Sequence, residues 1–256
     1  MTALVVLLGE GIGYSASPAM HNAAFAALGI DARYELRDVA AADLDDEVEA
    51  LRDADRLGAN VTKPHKVAVC DLVDDHAPDV ARVGAANTIV AADGRLVAHN
   101  TDLAALTAEL AELGASGRRA VVLGAGGASR AAVAALEDLG CEATVVTRAS
   151  WGDLAEVLSR AEVLVNATPI GTQNPSAAPV PTDLLRRDLA VLDLVYRPSP
   201  TRLVQEAHAI AAPARGGAGM LLRQAVGSFT LWTGREAPVD VMRAALHAEL
   251  GIAVHA

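Results

Sequence analysis

Ala120-Val-Val-Leu-Gly-Ala-Gly-Gly-Ala-Ser-Arg-Ala-Ala-Val-Ala-Ala-Leu136 is the stretch whose reading decides the fold. The apolar run Ala120–Leu123 predicts a buried strand, and the alanine-rich run Ser129–Leu139 predicts a helix. Between them, Gly124, Ala125, Gly126, Gly127 and Ala128 leave space only for a tight turn. Glycine there lets the backbone turn sharply and approach a pyrophosphate, which then rests on the helix N-terminus. Read as GxGxxG, the pattern ends in Ser129, so an ordinary strand-to-helix turn also fits. Its place between strand and helix favours the dinucleotide reading.

Working downstream, Glu142–Thr147, Val163–Ala167 and Ala190–Val195 are further short apolar runs. Continuous rather than alternating apolar strands are buried on both faces, as in a parallel sheet. Residues 102–218 therefore predict a doubly wound dinucleotide-binding domain. Between Arg148 and Asn166 only one helix, about Asp153–Arg160, fits. In the strand order 3-2-1-4-5-6 this removes the third strand and its crossover helix, leaving 2-1-4-5-6. The second strand ends in Thr147-Arg148-Ala149-Ser150, with no acidic residue to hold a ribose 2′-hydroxyl. Arg148 is either a clamp for a 2′-phosphate or an ordinary surface arginine.

Upstream, strands are expected at Leu4–Leu8, Arg33–Leu36 and Gly58–Thr62. Ser17 is expected as N-cap, with Pro18 at the first position, of a helix running to Leu28. A helix over Ala42–Arg52 would carry the acidic run Asp43–Glu49 on a solvated face. Asp93-Gly94 predicts a hairpin between Asn87–Val90 and Arg95–His99. Leu103–Leu113 and Met220–Leu250 read as helical, the latter packing back on the first domain. Two α/β domains result: 1–101 plus 219–256, for substrate binding and catalysis, and 102–218, for the dinucleotide.

The chain has 256 residues, of which 52% are hydrophobic, so a sizeable core is expected and disorder is not. Two Trp, three Tyr and two Phe leave that core to aliphatic side chains. The formal charge of -11 argues against nucleic acid or an acidic membrane surface as partner. Cys70 and Cys141 lack metal or disulfide spacing and read as small buried hydrophobes, so no metal is expected. No apolar run reaches the roughly 20 residues of a membrane span, and the start lacks a secretion signal. A cytoplasmic protein is the expectation.

Two polar clusters carry possible chemistry. Asn60-Val-Thr-Lys-Pro-His-Lys66 ends a strand, and Asn100-Thr-Asp102 lies where the chain passes between domains. A lysine near an aspartate suits alcohol–carbonyl interconversion. The ammonium can donate a proton and stabilise an alkoxide, while the carboxylate accepts a hydroxyl. Periodicity does not bring Lys66 and Asp102 together, and separate surface residues remain the alternative. His65 reads as motif filler rather than a base, His21 as a helix-packing residue, and Trp232 as core.

The chain resembles the shikimate dehydrogenase family along nearly its whole length. The resemblance rests on Ser15-Ala-Ser-Pro-Ala-Met-His-Asn22, Asn60–Lys66, Gly84-Ala-Ala-Asn-Thr88, Asn100–Asp102 and Gly124-Ala-Gly-Gly-Ala-Ser-Arg130. Asn166-Ala-Thr-Pro-Ile-Gly171, Asp193-Leu-Val-Tyr196, Gly219-Met-Leu-Leu-Arg-Gln224 and Trp232-Thr-Gly234 complete it, in order. It implies two α/β domains flanking a cleft, the second of them Rossmann-type, and reduction of 3-dehydroshikimate to shikimate with NADPH in aromatic amino acid biosynthesis. It implies Lys66 and Asp102 as the catalytic pair. Ser15 and Ser17 would bind the substrate carboxylate, and Tyr196 would lie near it. Asn60, Thr62, Asn87 and Gln224 would hold ring hydroxyls. Gly124, Ala125, Gly126, Gly127, Ala128, Thr147, Arg148, Thr168 and Gly217 would hold NADP. Three departures from the family stand out: Tyr14 replaces a common histidine, Leu103 follows Asp102 in place of glycine, and the 148–166 segment is short.

Quinate or aminoshikimate oxidation by the same fold, with NAD in place of NADP, is an alternative reading. A catalytically weakened binding protein is another, against which the retained Lys66 and Asp102 argue. The expected partner is a small carboxylate substrate, acting on a monomer or homodimer.

Overall fold

A computed structural model describes residues 2–253; residue 1 and residues 254–256 of the expected first domain lie outside the described residues. The chain divides into two compact units, Met1–Thr101 with Leu222–Ala256, and Asp102–Leu221.

The first unit begins with β1 (Ala3–Gly9), α1 (Ser17–Leu28), β2 (Ala32–Asp38), α2 (Leu44–Glu49) and β3 (Arg56–Val61). β4 (Asp75–His76), α3 (Pro78–Val83), β5 (Thr88–Ala92) and β6 (Arg95–His99) follow. Among the described residues its sheet has the order β2-β1-β3-β5-β6-β4. β1 pairs in parallel with β2 and β3, whereas β3–β5 and β5–β6 are antiparallel. The hairpin turn holds Asp93 at φ 52° and Gly94 at φ 73°, the two positive values that a type I′ turn needs. Leu4, Val6, Leu8, Val61, Ile89 and Leu96 are buried in the core below α2 and its flanking turns.

Two local expectations are corrected. The N-cap of α1 is Ala16, in helical conformation, and Ser17 is already inside the helix; Ser17 N–H donates to Ser15 Oγ at 3.3 Å. No side chain caps the helix in the way expected of Ser17. The helix expected over Ala42–Arg52 is α-helical only at Leu44–Glu49, with 3-10 turns at Ala41–Asp43 and Ala50–Arg52. Asp43, Asp45, Asp46, Glu47 and Glu49 repel one another at helical spacings, which limits the α-helical stretch. The stretch Met220–Leu250, expected to be helical, forms two helices, parted where Gly234 turns at φ 63° and Pro238 stands at the N-cap of the next.

The second unit runs from α4 (Thr101–Glu112) through β7 (Arg119–Leu123), α5 (Gly127–Asp138) and β8 (Glu142–Val146) to α6 (Leu154–Arg160). β9 (Val163–Asn166), β10 (Ala190–Asp193), α7 (Arg202–Ala209) and β11 (Ala214–Arg215) follow, and α8 (Ala218–Thr233) starts in this unit and from Leu222 onward belongs to the first. α9 (Val239–Leu250) belongs to the first unit and packs against α1. Among the described residues the second sheet has the order β11-β10-β9-β7-β8, parallel throughout. This is the 2-1-4-5-6 arrangement without a third strand. After β8 the chain makes a 3-10 turn, Arg148–Asp153, then α6, and returns as β9 on the other side of β7. Interior strands β7, β9 and β10 are buried along almost their whole length, whereas β8, now the sheet edge, leaves Val145 40% exposed.

Candidate active site

In the first unit, parallel β1 and β3 end side by side, and the polar side chains of the site lie at and beyond these ends. The centre of the arrangement is Asn60, near the end of β3 and 4% exposed. Tyr34 hydroxyl, on the neighbouring sheet edge, donates to Asn60 Oδ1 at 2.8 Å. Asn60 Nδ2 donates to Asn87 carbonyl (3.0 Å), Thr88 Oγ1 (3.1 Å) and Ser228 Oγ (3.0 Å). Both ends of this carboxamide are therefore held by protein groups. Asn87 accepts from Thr101 N–H at 2.8 Å and donates from Nδ2 to Thr101 Oγ1 (2.9 Å) and Gln224 Oε1 (3.3 Å). The structure thus brings Asn60, Asn87 and Gln224 into one buried lattice.

Ser228 and Thr88 complete that lattice at 2.8 Å from each other, both fully buried. They and Tyr34 were not singled out from sequence. Ser228 lies four residues after Gln224 on α8, one turn along the same helix face, which is the signal that could have found it. Trp232, one turn further, is core as expected: its Nε1–H donates to Ile89 carbonyl at 2.9 Å. That approach needs Gly58, at φ 142°, where a Cβ would lie 2.0 Å from the Ile89 oxygen.

The segment after β3 is pinned through its backbone. Thr62 N–H donates to Leu8 carbonyl at 2.9 Å, and Ala86 N–H donates to Lys66 carbonyl at 2.8 Å. His65 is buried, and its Nε2–H donates to Val39 carbonyl at 2.7 Å. It anchors the loop that carries the half-buried Lys66. Lys63 Nζ sits 5.4 Å from the ring centroid of Tyr14, the residue just before Ser15. His21 is fully buried, stacked on Tyr34 with ring centroids 4.5 Å apart. Neither of its ring nitrogens has a hydrogen-bond partner, and burial pushes its pKa down to about 3.

In the second unit, Gly124 adopts φ 119°, and a Cβ there would lie 2.9 Å from Ala167 carbonyl. Glycine is therefore required where the turn crosses the end of β9. Gly126 caps α5 in extended conformation, and the first turn of α5 holds no acidic side chain. Its N-terminal N–H groups and positive dipole end are available to an anion. Ser129, the departure from GxGxxG, is buried and donates to Gly124 carbonyl at 2.8 Å. The hydroxyl is thus satisfied inside the turn. Thr147 N–H donates to Ser150 Oγ at 3.0 Å, and Arg148 next to it is exposed.

At the ends of β9 and β10, Asp193 is 1% exposed and accepts three hydrogen bonds. Asn166 Nδ2 donates at 2.8 Å, Val195 N–H at 3.1 Å and Thr201 hydroxyl at 2.6 Å. Desolvation pushes its carboxyl above the ordinary aspartate range, opposed by these three donors. Asn166 Oδ1 in turn accepts from Thr168 N–H (3.1 Å) and hydroxyl (2.6 Å). Tyr196, three residues after Asp193, is half-buried. Gly217 lies where a Cβ would come 2.3 Å from Leu194 carbonyl, so the backbone passes too closely there for a side chain. Asp102 is buried in the first turn of α4 and belongs to this unit, whereas Lys66 belongs to the first. Among the described residues no group of three or more His, Cys, Asp and Glu side chains could hold a metal ion, and no helix is long and apolar enough to cross a membrane.

Residues 7–89 match the shikimate dehydrogenase substrate binding domain, and residues 217–247 match the shikimate 5′-dehydrogenase C-terminal domain. A shikimate dehydrogenase (NADP(+)) of Halorubrum lacusprofundi is 45% identical, over 95% of this chain and 98% of its own. The shikimate 5-dehydrogenase of Thermus thermophilus, solved in complex with NADP(H) and shikimate, superposes with a TM-score of 0.87. It is 36% identical and covers 97% of this chain and 100% of its own. A quinate dehydrogenase of Corynebacterium glutamicum, solved in complex with NAD, has a TM-score of 0.86 at 29% identity, over 96% and 99%. With near-complete coverage of both sequence and structure, the chain belongs to the shikimate dehydrogenase family.

Proposed function

We propose that this protein is an NADP-dependent oxidoreductase that interconverts 3-dehydroshikimate and shikimate. The observation that carries the reading is the buried Asn60–Asn87–Gln224 lattice, set at strand ends in a chain 45% identical to a relative of that activity. Residues 1–101 with the C-terminal helices form the substrate domain, and the parallel sheet forms the dinucleotide domain.

The residues of the second unit fit the cofactor. The Gly124 turn, with Ala125, Gly126, Gly127 and Ala128, presents the acid-free N-terminus of α5 to a pyrophosphate. Thr147 and the exposed Arg148 stand where the adenosine 2′-phosphate would lie, and Thr168 and Gly217 line the opposite strand ends. Bound there, NADPH supplies the hydride. Lys66 donates the proton to the carbonyl oxygen and stabilises the alkoxide, and Asp102 accepts a substrate hydroxyl. Ser15 and Ser17 hold the carboxylate together with Tyr196. Thr62, Asn87 and Gln224 orient the ring. Asn60, whose carboxamide is held by Tyr34, Thr88 and Ser228, fixes those groups from behind.

The test is steady-state turnover of shikimate and quinate with NADP and with NAD. Shikimate with NADP should be the efficient pair; quinate with NAD winning would move the protein to the quinate branch of the family. Lys66→Ala should lower kcat by about two to four orders of magnitude, the scale of general acid–base groups, with KM changed much less. Near-normal turnover of that variant would remove Lys66 from the mechanism. We read the protein as cytoplasmic, a monomer or homodimer.

A further inference from the structure

Asp193 has no role in the proposed chemistry, yet it is nearly fully buried, and none of its three hydrogen-bond donors is a lysine or an arginine. Burying a carboxyl group is costly unless its oxygens are well bonded. Its three donors come from three different segments. Asn166 is the last residue of β9, Val195 follows β10, and Thr201 is the N-cap of α7, where its hydroxyl also accepts from Val204 N–H at 3.4 Å. Asn166 passes the constraint on to Thr168 through two hydrogen bonds. One side chain thus ties the loop that carries Thr168 to the segment that carries Tyr196.

We propose that Asp193 is a positioning residue that sets the cofactor loop, through Asn166 and Thr168, and the Tyr196 segment, through Val195, at the same time. The proposal rests on the assignment of Thr168 to the cofactor and Tyr196 to the substrate. Its signature is joint: a ligand residue of either site changes one affinity, whereas Asp193 changes both. Neither loop need lose any group that touches a ligand for this to happen.

The experiment compares Asp193→Ala, Asp193→Asn and wild type by NADPH binding, read from nicotinamide fluorescence, and by steady-state kinetics well below each variant's melting temperature. Asp193→Ala should weaken NADPH binding and raise the substrate KM, each about ten-fold or more, the scale of buried donors left without their acceptor. Asp193→Asn should recover most of both losses. Its oxygen can still accept from Asn166 and Val195, and its amide can donate to the Thr201 hydroxyl. A folded Asp193→Ala variant with both constants within two-fold of wild type overturns the proposal, as does one in which only a single constant moves. If Asp193→Ala does not fold, Asn166→Ala and Thr168→Val decide through NADPH binding. A double variant no weaker than the worse single supports transmission through Thr168, and additive losses overturn it. A wild type that binds NADPH but turns over no shikimate would refute the proposed function, while NADPH binding by the variants would still decide the role of Asp193.

Discussion

The buried imidazole of His21 makes a quantitative statement about stability and pH. Its pKa is about 3 in the folded protein, against roughly 6.5 for an unperturbed histidine. The folded pKa is depressed, so above pH 6.5 both states are neutral at this site and it adds no pH dependence. As pH falls from 6.5 toward 3, the unfolded chain binds a proton that the folded chain refuses, and stability falls by about 1.4 kcal/mol per pH unit. At pH 5 this amounts to about 2 kcal/mol. Replacing the ring with leucine removes the slope. It also removes two buried ring nitrogens without hydrogen-bond partners, a gain of about 1–3 kcal/mol, against about 0.5–1.5 kcal/mol for the lost stack on Tyr34. His21→Leu should therefore range from near-equal to about 2 kcal/mol more stable at pH 8. Its advantage should grow by about a further 2 kcal/mol at pH 5. Urea unfolding of both proteins at pH 8, 6.5 and 5 measures the difference, in which the other histidines cancel. Parallel pH dependences would falsify the assignment of a neutral, desolvated imidazole.

Two further outcomes concern ligands. Ser15→Ala combined with Ser17→Ala should raise the shikimate KM strongly and erase the wild-type preference for shikimate over its amide. A wild type equally efficient with acid and amide would sink the carboxylate assignment. Arg148, exposed beside the Thr147–Ser150 turn, should favour NADP over NAD by roughly 10- to 150-fold, the worth of one charge-assisted phosphate contact. Arg148→Ala should nearly abolish the preference; a wild type indifferent to the 2′-phosphate contradicts this.

The second unit was legible because its signals are local. Apolar runs buried on both faces, a glycine turn and a short 148–166 segment are enough to specify a parallel sheet that stops at β8. The first unit was less so. β4 is two residues long and α3 has six, too short for any periodicity to register. Ser17 looked like a helix cap because it precedes proline, but the helix begins one residue earlier than that pattern implies, so Ser17 is its first residue and Ala16 its N-cap. At the site, the motif residues Asn60, Asn87 and Gln224 stood out in the sequence as polar groups of interest. What held them was not visible. Tyr34, Thr88 and Ser228 act through contacts separated by up to 168 positions along the chain, and no spacing rule reaches that far.

The helix that supplies Gln224, Ser228 and Trp232 joins the first unit only after the whole of the second has been made. On the ribosome, residues 102–221 form an uninterrupted stretch that can fold as soon as it emerges, since domains generally fold as units during synthesis. The earlier residues 2–101 must wait, with the Asn60 carboxamide lacking its Ser228 partner and the Ile89 carbonyl lacking the Trp232 indole. The order of birth thus differs from the order of maturation: the parallel sheet of the second unit can be finished first, and the part that would hold the substrate is closed last, by the arriving C-terminal helices.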